Sequence, residues 1–489
     1  MSFKSFPQLS EDQETQLQEK LCHWSLANGL IMYPPQFKSF SSNVAPITLY
    51  PTPFPKAAFE DAVKVETVFH ELYINAIANN KEWLKEILQD LSKHDKDFTG
   101  KLYETYTKAL ELNGGKILQP LSLGLFRSDY MLDNDRIKQV EFNTISVSFG
   151  GLSTKVGQLH DFLNKSGAYD SKYSYEYYDR GEVGVSDSVN KLAEGLADGD
   201  KFYSQQQGNS KNGVVLFIVQ NGERNVFDQK HVEFALLNNH GIKSIRMSLE
   251  EVQFLTTVRD NKLYIKQSMD EVSVVYYRSA YSPNDYASNP DLTWGARLYL
   301  ENTLAIKCPS VLTQLSGAKK IQQILSTKDV INTIAPSIEG EDLKRLVSTF
   351  VGILPLDDTD EGKAAIELAF KEPHRFVLKP QREGGGNNIY KEDIPDFLNS
   401  IDKEEWGGYI LMELINAPTH KSKIIRNDEL IHEDIISELG IFGTTVFNED
   451  TGETLSNKYA GHLLRSKVSS SNEGGVAAGF GCVDNIYLY

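Results

Sequence analysis

Short apolar runs alternate with a helical pattern between residues 214 and 277, which leaves few folds open to this part of the chain. Val214–Val219 and Val272–Tyr277 read as buried strands, and Gln229–Asn239 reads as a helix between them. Strands separated by helices are typical of a parallel α/β unit. We predict that this unit is an inserted domain over residues 205–308.

The regions on either side of this unit differ from it and from each other. The first third reads helical and opens with Ser10 and Gln13 in a capping-box pattern. The last third alternates helices with antiparallel strands, and residues 200–212 are polar, which predicts a loop or a domain boundary. We therefore predict a mixed α/β fold with three parts: 1–204 as the helical region and the first part of a core, 205–308 as the insert, and 309–489 as the rest of the core.

Composition excludes several classes of protein. The 489 residues suit about three domains. The 50 basic and 67 acidic residues leave a net charge of −17, which disfavours non-specific binding to nucleic acid or to anionic membranes. Only Cys22, Cys308 and Cys482 occur, so a disulfide framework is excluded. The N-terminal residues lack the apolar region of a signal peptide, and we expect a soluble, cytoplasmic protein.

The strongest local signal is the run KPQREGGGNN from Lys379 to Asn388. Backbone N–H groups of glycines can surround phosphate oxygens, Lys379 supplies a positive charge, and Glu383 is a suitable oxygen ligand for Mg²⁺. The alternative is a flexible hairpin turn with solvated charges. The run is not a Walker A loop, and the signatures of protein kinases do not occur.

A second signal is the run EFNTIS that begins at Glu141. In an extended segment Glu141 and Asn143 lie on the same face, where a carboxylate and an amide oxygen can share one Mg²⁺. Arg127 lies shortly upstream and is suited to binding a carboxylate or a phosphate. The alternative is a strand with one polar, solvated face.

Other charged groups follow predicted strands. Glu223–Gln229 and Arg278–Tyr281 each follow a strand of the α/β unit, where ligands of such units bind, although ordinary loops are equally consistent. Arg465 and Lys467 precede a glycine-rich stretch and could instead protect an edge strand. Cations, Mg²⁺-type ligands and glycine loops, without a Ser-His-Asp or Cys-His set, favour phosphoryl transfer.

Together these segments resemble the eukaryotic type of glutathione synthetase, a family of ATP-grasp ligases, over nearly the whole chain. The most specific features are KPQREGGGNN, EFNTIS at Glu141 and Glu-Arg-Asn at Glu223. The resemblance implies an ATP-grasp fold with an inserted three-layer α/β substrate domain, and a homodimer. It also implies the ATP-dependent ligation of γ-glutamylcysteine and glycine to glutathione, with release of ADP and phosphate, through an acyl phosphate.

The resemblance further implies the residues of the site. The ligands of two Mg²⁺ ions would be Glu141, Asn143 and Glu383. Catalytic roles would fall to Arg465, Lys379 and Lys307. The ATP site would comprise Glu141, Lys307, Lys379, Gly384, Gly385, Gly386, Asn387, Asn388, Tyr390, Met412, Glu413, Leu414, Ile415, Glu438, Lys467 and Glu473. The substrate site would comprise Arg127, Ser146, Ser148, Glu223, Asn225, Gln229, Arg278, Tyr281, Arg465, Val476 and Ala477.

Four positions depart from the pattern of animal members: Ser279, Ala280, Leu414 and Glu473 stand where Asp, Gly, Lys and Asp are expected. None of them is an implied metal ligand or phosphate lysine. Two other functions stay open. One is a ligase with the same first step and a different amine, such as β-alanine, and the other is a non-catalytic regulator that binds a nucleotide or glutathione.

Overall fold

The computed structural model describes residues 6–172, 175–179, 181–208, 213–384, 386–427, 429–472, 475–476, 479 and 481–489. Its helices are α1 (Glu11–Asn28), α2 (Lys56–Ile74), α3 (Lys81–His94), α4 (Lys101–Leu112), α5 (Gly150–Lys165), α6 (Ser188–Gln207), α7 (Val226–His240), α8 (Leu249–Leu255), α9 (Pro290–Glu301), α10 (Val311–Ser316), α11 (Lys319–Leu325), α12 (Lys328–Ile334), α13 (Gly340–Ser348), α14 (Asp360–Lys371) and α15 (Asp393–Ser400).

Its strands are β1 (Ile31–Met32), β2 (Asn43–Val44), β3 (Ile47–Thr48), β4 (Thr52–Phe54), β5 (Leu121–Asp133), β6 (Arg136–Asn143), β7 (Val214–Ile218), β8 (Ser244–Met247), β9 (Thr256–Arg259), β10 (Lys262–Ile265), β11 (Val272–Tyr277), β12 (Ile306–Cys308), β13 (Ile353–Pro355), β14 (Phe376–Pro380), β15 (Ile389–Tyr390), β16 (Tyr409–Glu413), β17 (His420–Arg426), β18 (Glu429–Asn448), β19 (Thr454–Val468), β20 (Gly481–Asp484) and β21 (Ile486–Leu488).

A large sheet of 11 strands forms the centre of the molecule. Its order is β17-β3-β20-β19-β18-β5-β12-β11-β7-β8, and β6 pairs with β5. Because β17 also pairs with β18, the strands from β17 to β18 close on themselves. From β5 to β8 the neighbouring strands run parallel, as the alternation of strands and helices predicts. The mixed α/β class is therefore confirmed.

Helices cover both faces of this sheet, because successive strand residues point to opposite sides. On β7, Leu216 packs on the side of α2, α4 and α9, whereas Phe217 packs on the side of α1, α5, α6 and α7. The two apolar clusters make three layers around the parallel strands. The strands of the predicted insert join the rest of the sheet where Lys307 of β12 pairs with Ser122 of β5. The domain boundaries remain a prediction.

Local signals place two helix ends. The capping box of Ser10 and Gln13 forms as predicted, and Gly29 ends α1 in the left-handed conformation with φ +76°. The loop predicted over 200–212 is wrong for 200–207, which form the last turns of α6. That helix continues because Tyr203 is fully buried and Asp200 accepts a hydrogen bond of 2.8 Å from the Gly213 N–H.

A second sheet lies beside the first and has the order β13-β16-β14-β15. One of its faces packs on α14 and α15, where Leu378 and Leu411 are buried. The other face carries Val377 and Met412 and lines the candidate site described below. None of the described helices is long and apolar enough to cross a membrane.

Candidate active site

A cavity of about 1680 Å³ lies between the large sheet and the second sheet. Most of the site residues expected from the sequence line it, although they come from distant parts of the chain. Those are Arg127, Glu141, Asn143, Ser146, Ser148, Glu223, Asn225, Arg278, Tyr281, Lys379, Glu383, Gly384, Asn387, Asn388, Tyr390, Met412, Glu413, Leu414, Ile415, Glu438, Arg465, Lys467 and Val476. Lys307, Gln229 and Gly386 are not among its lining residues. Gly385, Glu473 and Ala477 lie outside the described residues.

One wall is built at the carboxyl ends of β6 and β11. The Arg278 guanidinium follows β11 and donates a hydrogen bond of 2.6 Å to the Val147 carbonyl. The Ser146 hydroxyl donates one of 3.0 Å to the Tyr277 carbonyl, and Ser146 has a φ of +53°. Arg127 of β5 donates to the Ser148 carbonyl at 3.2 Å. Both arginines thus brace the loop that carries the two expected substrate serines.

The loop after β7 adds a carboxylate to this wall. Glu223 Oε1 accepts a hydrogen bond of 2.8 Å from the Asn225 N–H, and Oε2 accepts one of 3.4 Å from Gln229 Nε2. Gln229 therefore acts behind the cavity, where its oxygen also accepts from Arg246 Nη2 at 2.8 Å. The Asn225 side-chain oxygen is buried without a hydrogen-bond partner among the described residues, as expected of a ligand-binding atom.

Asp228 joins this loop to the neighbouring one; it lies within the predicted run Glu223–Gln229 but was not assigned a role from the sequence. Its carboxylate accepts backbone hydrogen bonds from Phe149 at 2.8 Å, Gly151 at 2.7 Å and Leu152 at 3.0 Å. These N–H groups belong to the start of α5, and the first N–H groups of a helix have no acceptor within that helix. Asp228 on α7 therefore caps α5 and fixes the loop between β6 and α5.

A buried ammonium group lies between two carboxylates that line the cavity. Lys319, the first residue of α11, is 3% exposed. Its Nζ lies 3.1 Å from Glu141 Oε2 and 3.2 Å from Glu383 Oε1. This helix contacts both β6 and β16, so it brings Lys319 to the place where the two sheets meet. Two of the three predicted metal ligands therefore converge on the position of one cation.

The two carboxylates of this centre differ in pKa. Burial alone would raise the pKa of Glu141, but the ammonium groups of Lys319 and Lys379 hold that pKa below its usual range. Burial and the nearby Glu141 charge raise the pKa of Glu383 to about 7, against the opposing effect of Lys319. Glu141 is thus the carboxylate that remains charged, and Glu383 retains a proton more readily. Burial also lowers the pKa of Lys379.

Lys307 does not join this centre. It is 1% exposed, and its Nζ donates to the carbonyl oxygens of Glu301 at 3.3 Å and Thr303 at 2.8 Å. Its side chain leaves β12 toward the end of α9 and does not line the cavity. The assignment of Lys307 to the phosphate site is therefore not supported. Lys319, twelve residues later in the chain, contacts two carboxylates that line the cavity instead. The resemblance to the family covers the segment 307–323, but Lys319 was not singled out within it.

The donor atoms around this centre fit Mg²⁺. Asn143 uses its NH₂ group to donate to the Arg127 carbonyl and to Asp129, both at 3.1 Å, which leaves its side-chain oxygen as the ligand atom. Two carboxylates and one amide oxygen are the hard donors that Mg²⁺ prefers, and the Lys319 ammonium already stands where a cation is attracted. In the part of the chain described, no group of three or more His, Cys, Asp or Glu side chains is arranged so that it could hold a metal ion without the Asn143 oxygen.

The second sheet lines the opposite wall with apolar side chains. Val377 and Met412 face each other across β14 and β16 and pack with Tyr390, Leu414 and Ile415. Glu413 turns away from this cluster, since it accepts from the Gly352 N–H at 3.0 Å and pairs with Arg375 at 3.2 Å. This wall is suited to a flat heterocyclic ring. Met131 and Val351 also line it and were not predicted from the sequence.

Gly384, the first residue of the glycine run, lines the cavity. Gly384 has a φ of +81° and Gly386 a φ of +93°, which only glycine adopts without strain. A Cβ built at Gly384 would lie 3.6 Å from the ring of Tyr281, so the run reaches the loop after β11. Asn387 Nδ2 donates to the Gly384 carbonyl at 3.2 Å and closes the turn.

The remaining charged residues come from the hairpin of β18 and β19. Glu438 and Arg465 are opposite each other in the pair and form an ion pair. Burial raises the pKa of Glu438 against the effect of Arg465, and Glu438 and Asp129 raise that of Arg465 despite its burial. Lys467 donates to the Asn472 carbonyl at 2.6 Å, and Val476 is buried nearby.

Comparisons with known proteins identify the family of this chain. The family model for the eukaryotic glutathione synthase, ATP binding domain, matches residues 11–488. The glutathione synthetase large chain of Schizosaccharomyces pombe is 41% identical over 95% of this chain and 96% of its own length. The glutathione synthetases of Dictyostelium discoideum and Homo sapiens are 37% and 38% identical, over 98% and 95% of this chain and 100% and 94% of their own lengths.

A solved structure shares the fold. A glutathione synthetase-like effector from Globodera pallida, in its apo form, aligns over 100% of both chains with a TM-score of 0.74 and 21% identity. That level of identity speaks for the fold alone. The family model and the identities over nearly the full length show that this chain belongs to the family of eukaryotic glutathione synthetases.

Proposed function

We propose that this ATP-dependent ligase joins γ-glutamylcysteine and glycine to form glutathione in the cavity between its two sheets. One observation carries the proposal: Lys319 lies 3.1 Å from Glu141 and 3.2 Å from Glu383, and these two carboxylates line the same cavity as Arg127 and Arg278. A cation-binding centre beside two arginines is the arrangement that phosphate transfer to a carboxylate substrate requires.

Lys379 and Lys319 are the proposed phosphate ligands, and the run around Gly384 closes above them. Two Mg²⁺ ions are proposed, with Glu141, Asn143 and Glu383 as ligands. When bound, they would neutralise the oxygens of the transferring phosphoryl group. The apolar wall at Met412 would take the adenine ring. Glu438 would hold the ribose, and its ion pair with Arg465 links that end of the site to the acceptor end.

The dipeptide would lie along the wall of β5 and β11, with Arg127 and Arg278 facing its carboxylates and Glu223 facing its α-ammonium. Its cysteinyl carboxylate oxygen attacks the γ-phosphorus, and ADP leaves as the acyl phosphate forms. The glycine amine then attacks the acyl carbon, so that the C–N bond forms, phosphate leaves and the amine loses a proton. Arg465 and Val476 would flank the glycine. The glycine run excludes water, which would otherwise hydrolyse the intermediate.

A homodimer and a cytoplasmic location complete the proposal, and both rest on the resemblance to the family. Light scattering of the purified chain tests the first, with a mass near 110 kDa expected against 55.0 kDa for one chain. Fractionation of cells from the source organism tests the second.

ADP release in the presence of Mg²⁺ and γ-glutamylcysteine tests the reaction, with glycine, with β-alanine and without an amine. Release that needs glycine and equals glutathione formation supports the proposal. Faster release with β-alanine indicates the other amine. Measurable ATP binding without ADP in any mixture indicates a non-catalytic regulator.

A further inference from the structure

One buried carboxylate contacts three of the expected site residues at once. Asp129, on β5, is 0% exposed. Its Oδ1 accepts from Arg127 Nε at 2.6 Å, and its Oδ2 accepts from Arg127 Nη2 at 2.7 Å. The same Oδ2 accepts from Arg465 Nη2 at 3.0 Å and from Asn143 Nδ2 at 3.1 Å. Three different strands thus present their site residues to a single group.

The strand beside Asp129 has a glycine where the carboxylate lies. In the strand pairing, Asp129 lies opposite Glu141 on β6 and opposite Gly440 on β18. A Cβ at Gly440 would lie 2.9 Å from Asp129 Oδ1 and 2.8 Å from Arg127 Cδ. Real Cβ contacts are not that short, so the absence of a side chain at Gly440 lets the Arg127–Asp129 pair lie flat against β18.

The charges explain why a carboxylate is needed there. Arg127 and Arg465 both reach Asp129, so two guanidinium cations lie close together where water is largely excluded. Like charges in such surroundings repel strongly unless an anion lies between them. Asp129 supplies that anion and also fixes the direction of both guanidinium planes, since it binds Arg127 in the bidentate manner. The N–H groups that remain are those that can meet the carboxylates of a substrate.

We propose that Asp129 is a positioning residue that aligns Arg127, Arg465 and Asn143. It thereby fixes the dipeptide site, the acceptor site and a metal ligand relative to one another. This inference rests on the function proposed above. Asp129 itself is not among the residues that line the cavity, so it acts through its three partners.

The test is Asp129→Asn, which keeps the shape of the side chain and replaces one oxygen by an NH₂ group. In either orientation that NH₂ group faces an N–H donor of Arg127, so the alignment is lost. We expect the KM for γ-glutamylcysteine to rise about tenfold, as for the loss of one oriented charge-assisted hydrogen bond. We also expect weaker Mg²⁺ binding in calorimetry without nucleotide, because Asn143 loses an acceptor.

Asp484→Asn is the matched control. Asp484 is also a buried aspartate, 1% exposed, and accepts hydrogen bonds of 2.6 Å from Thr48, Thr52 and Ser466, but it does not line the cavity. We expect this variant to lose thermal stability without a change in KM or in Mg²⁺ affinity. If Asp129→Asn changes thermal stability alone, as the control does, Asp129 is merely structural and the proposal is wrong.

A double-mutant cycle adds a sharper criterion. In an Arg127→Met background, Asp129→Asn should no longer affect the dipeptide KM, because the partner through which it acts is gone. An unchanged effect in that background contradicts the proposal. If Asp129→Asn yields no folded protein, Gly440→Ala displaces the same pair without removing a charge, and it should raise the same KM. An unaltered KM for Gly440→Ala overturns the proposal.

Loss of the proposed function and loss of the role of Asp129 would give different results in these assays. If the unmodified chain forms no ADP with dipeptide and glycine, the proposed function fails, and calorimetry with Mg²⁺ alone still tests the contact between Asp129 and Asn143. If the chain is active and Asp129→Asn behaves like the unmodified chain in both assays, only the role of Asp129 fails.

Discussion

Lys319→Met separates the site found in the structure from the site expected from the sequence. The change removes a 3% exposed ammonium group that lies 3.1 Å from Glu141 and 3.2 Å from Glu383. Breaking a buried ion pair on one side costs about 3–5 kcal/mol, because an unpaired buried charge remains. Since the pKa of Glu383 is already raised to about 7, that carboxyl takes up a proton rather than stay charged. We therefore expect a loss of about 3 kcal/mol.

The same substitution should have a small effect on the melting temperature and a large effect on turnover. For 489 residues the entropy of unfolding is about 1 kcal/mol/K, so the melting temperature should fall by about 3 °C in the presence of EDTA. Removing a preorganised group aimed at the transferring phosphoryl charge should lower turnover by about 10²–10³-fold. Thermal denaturation and ADP release measure the two effects.

Lys307→Met is the matched comparison, since it removes another buried ammonium group that donates only to the carbonyl oxygens of Glu301 and Thr303. We expect its turnover to stay close to that of the unmodified chain. The opposite pattern, with Lys307→Met inactive and Lys319→Met active, would refute the placement of the phosphate site.

Three further predictions address other parts of the molecule. Lys379→Met should lower turnover with ATP by about 10²–10³-fold, and normal turnover would contradict its phosphate role. Asp228→Asn should lower the free energy of unfolding, measured in urea, by about 1–3 kcal/mol, because the start of α5 loses part of its cap. It should also raise the KM for the dipeptide. An unchanged KM would show that this cap does not influence the substrate site. Burial lowers the pKa of His160 to about 3, below that of the unfolded chain, so stability is present above pH 6.5 and is lost as the pH falls toward 3. When the pH falls from 7.5 to 4.5, the free energy of unfolding of His160→Gln should decrease by about 3 kcal/mol less than that of the unmodified chain. Equal decreases would show that His160 does not contribute to the loss of stability in acid.

Local patterns in the sequence were sufficient for much of the fold. The start of α1 follows from a side-chain cap only three residues long. The strands β7 and β11 and the helix α7 follow from periodicity and from Gly241, whose φ is +69°. In each case the physical cause is short-ranged: a cap, a hydrogen-bond period or a backbone conformation that one residue type prefers.

The chemistry of the glycine run was also predictable, because the residues that give it are contiguous. Lys379, Glu383 and Gly384 stand within six positions and line one cavity. The expected metal ligands on β6 could be named as well, since Glu141 and Asn143 share a face of an extended segment, but their spacing alone was equally consistent with a polar, solvated strand face. The family resemblance brought these separate runs into one reaction.

Only the tertiary structure decided between the lysines. Lys307 and Lys319 lie at the two ends of the segment that joins β12 to α11. No local pattern indicates which of them lies beside the glycine-rich run that follows Lys379. The register of β12 turns Lys307 toward α9, whereas the contacts of α11 with β6 and β16 place Lys319 between the two sheets. The same holds for Asp129 and Asp228, whose partners are brought together by long-range strand and helix packing. Helix caps and strand periods act over a few residues, but the direction of a buried charge depends on which distant strand lies beside it.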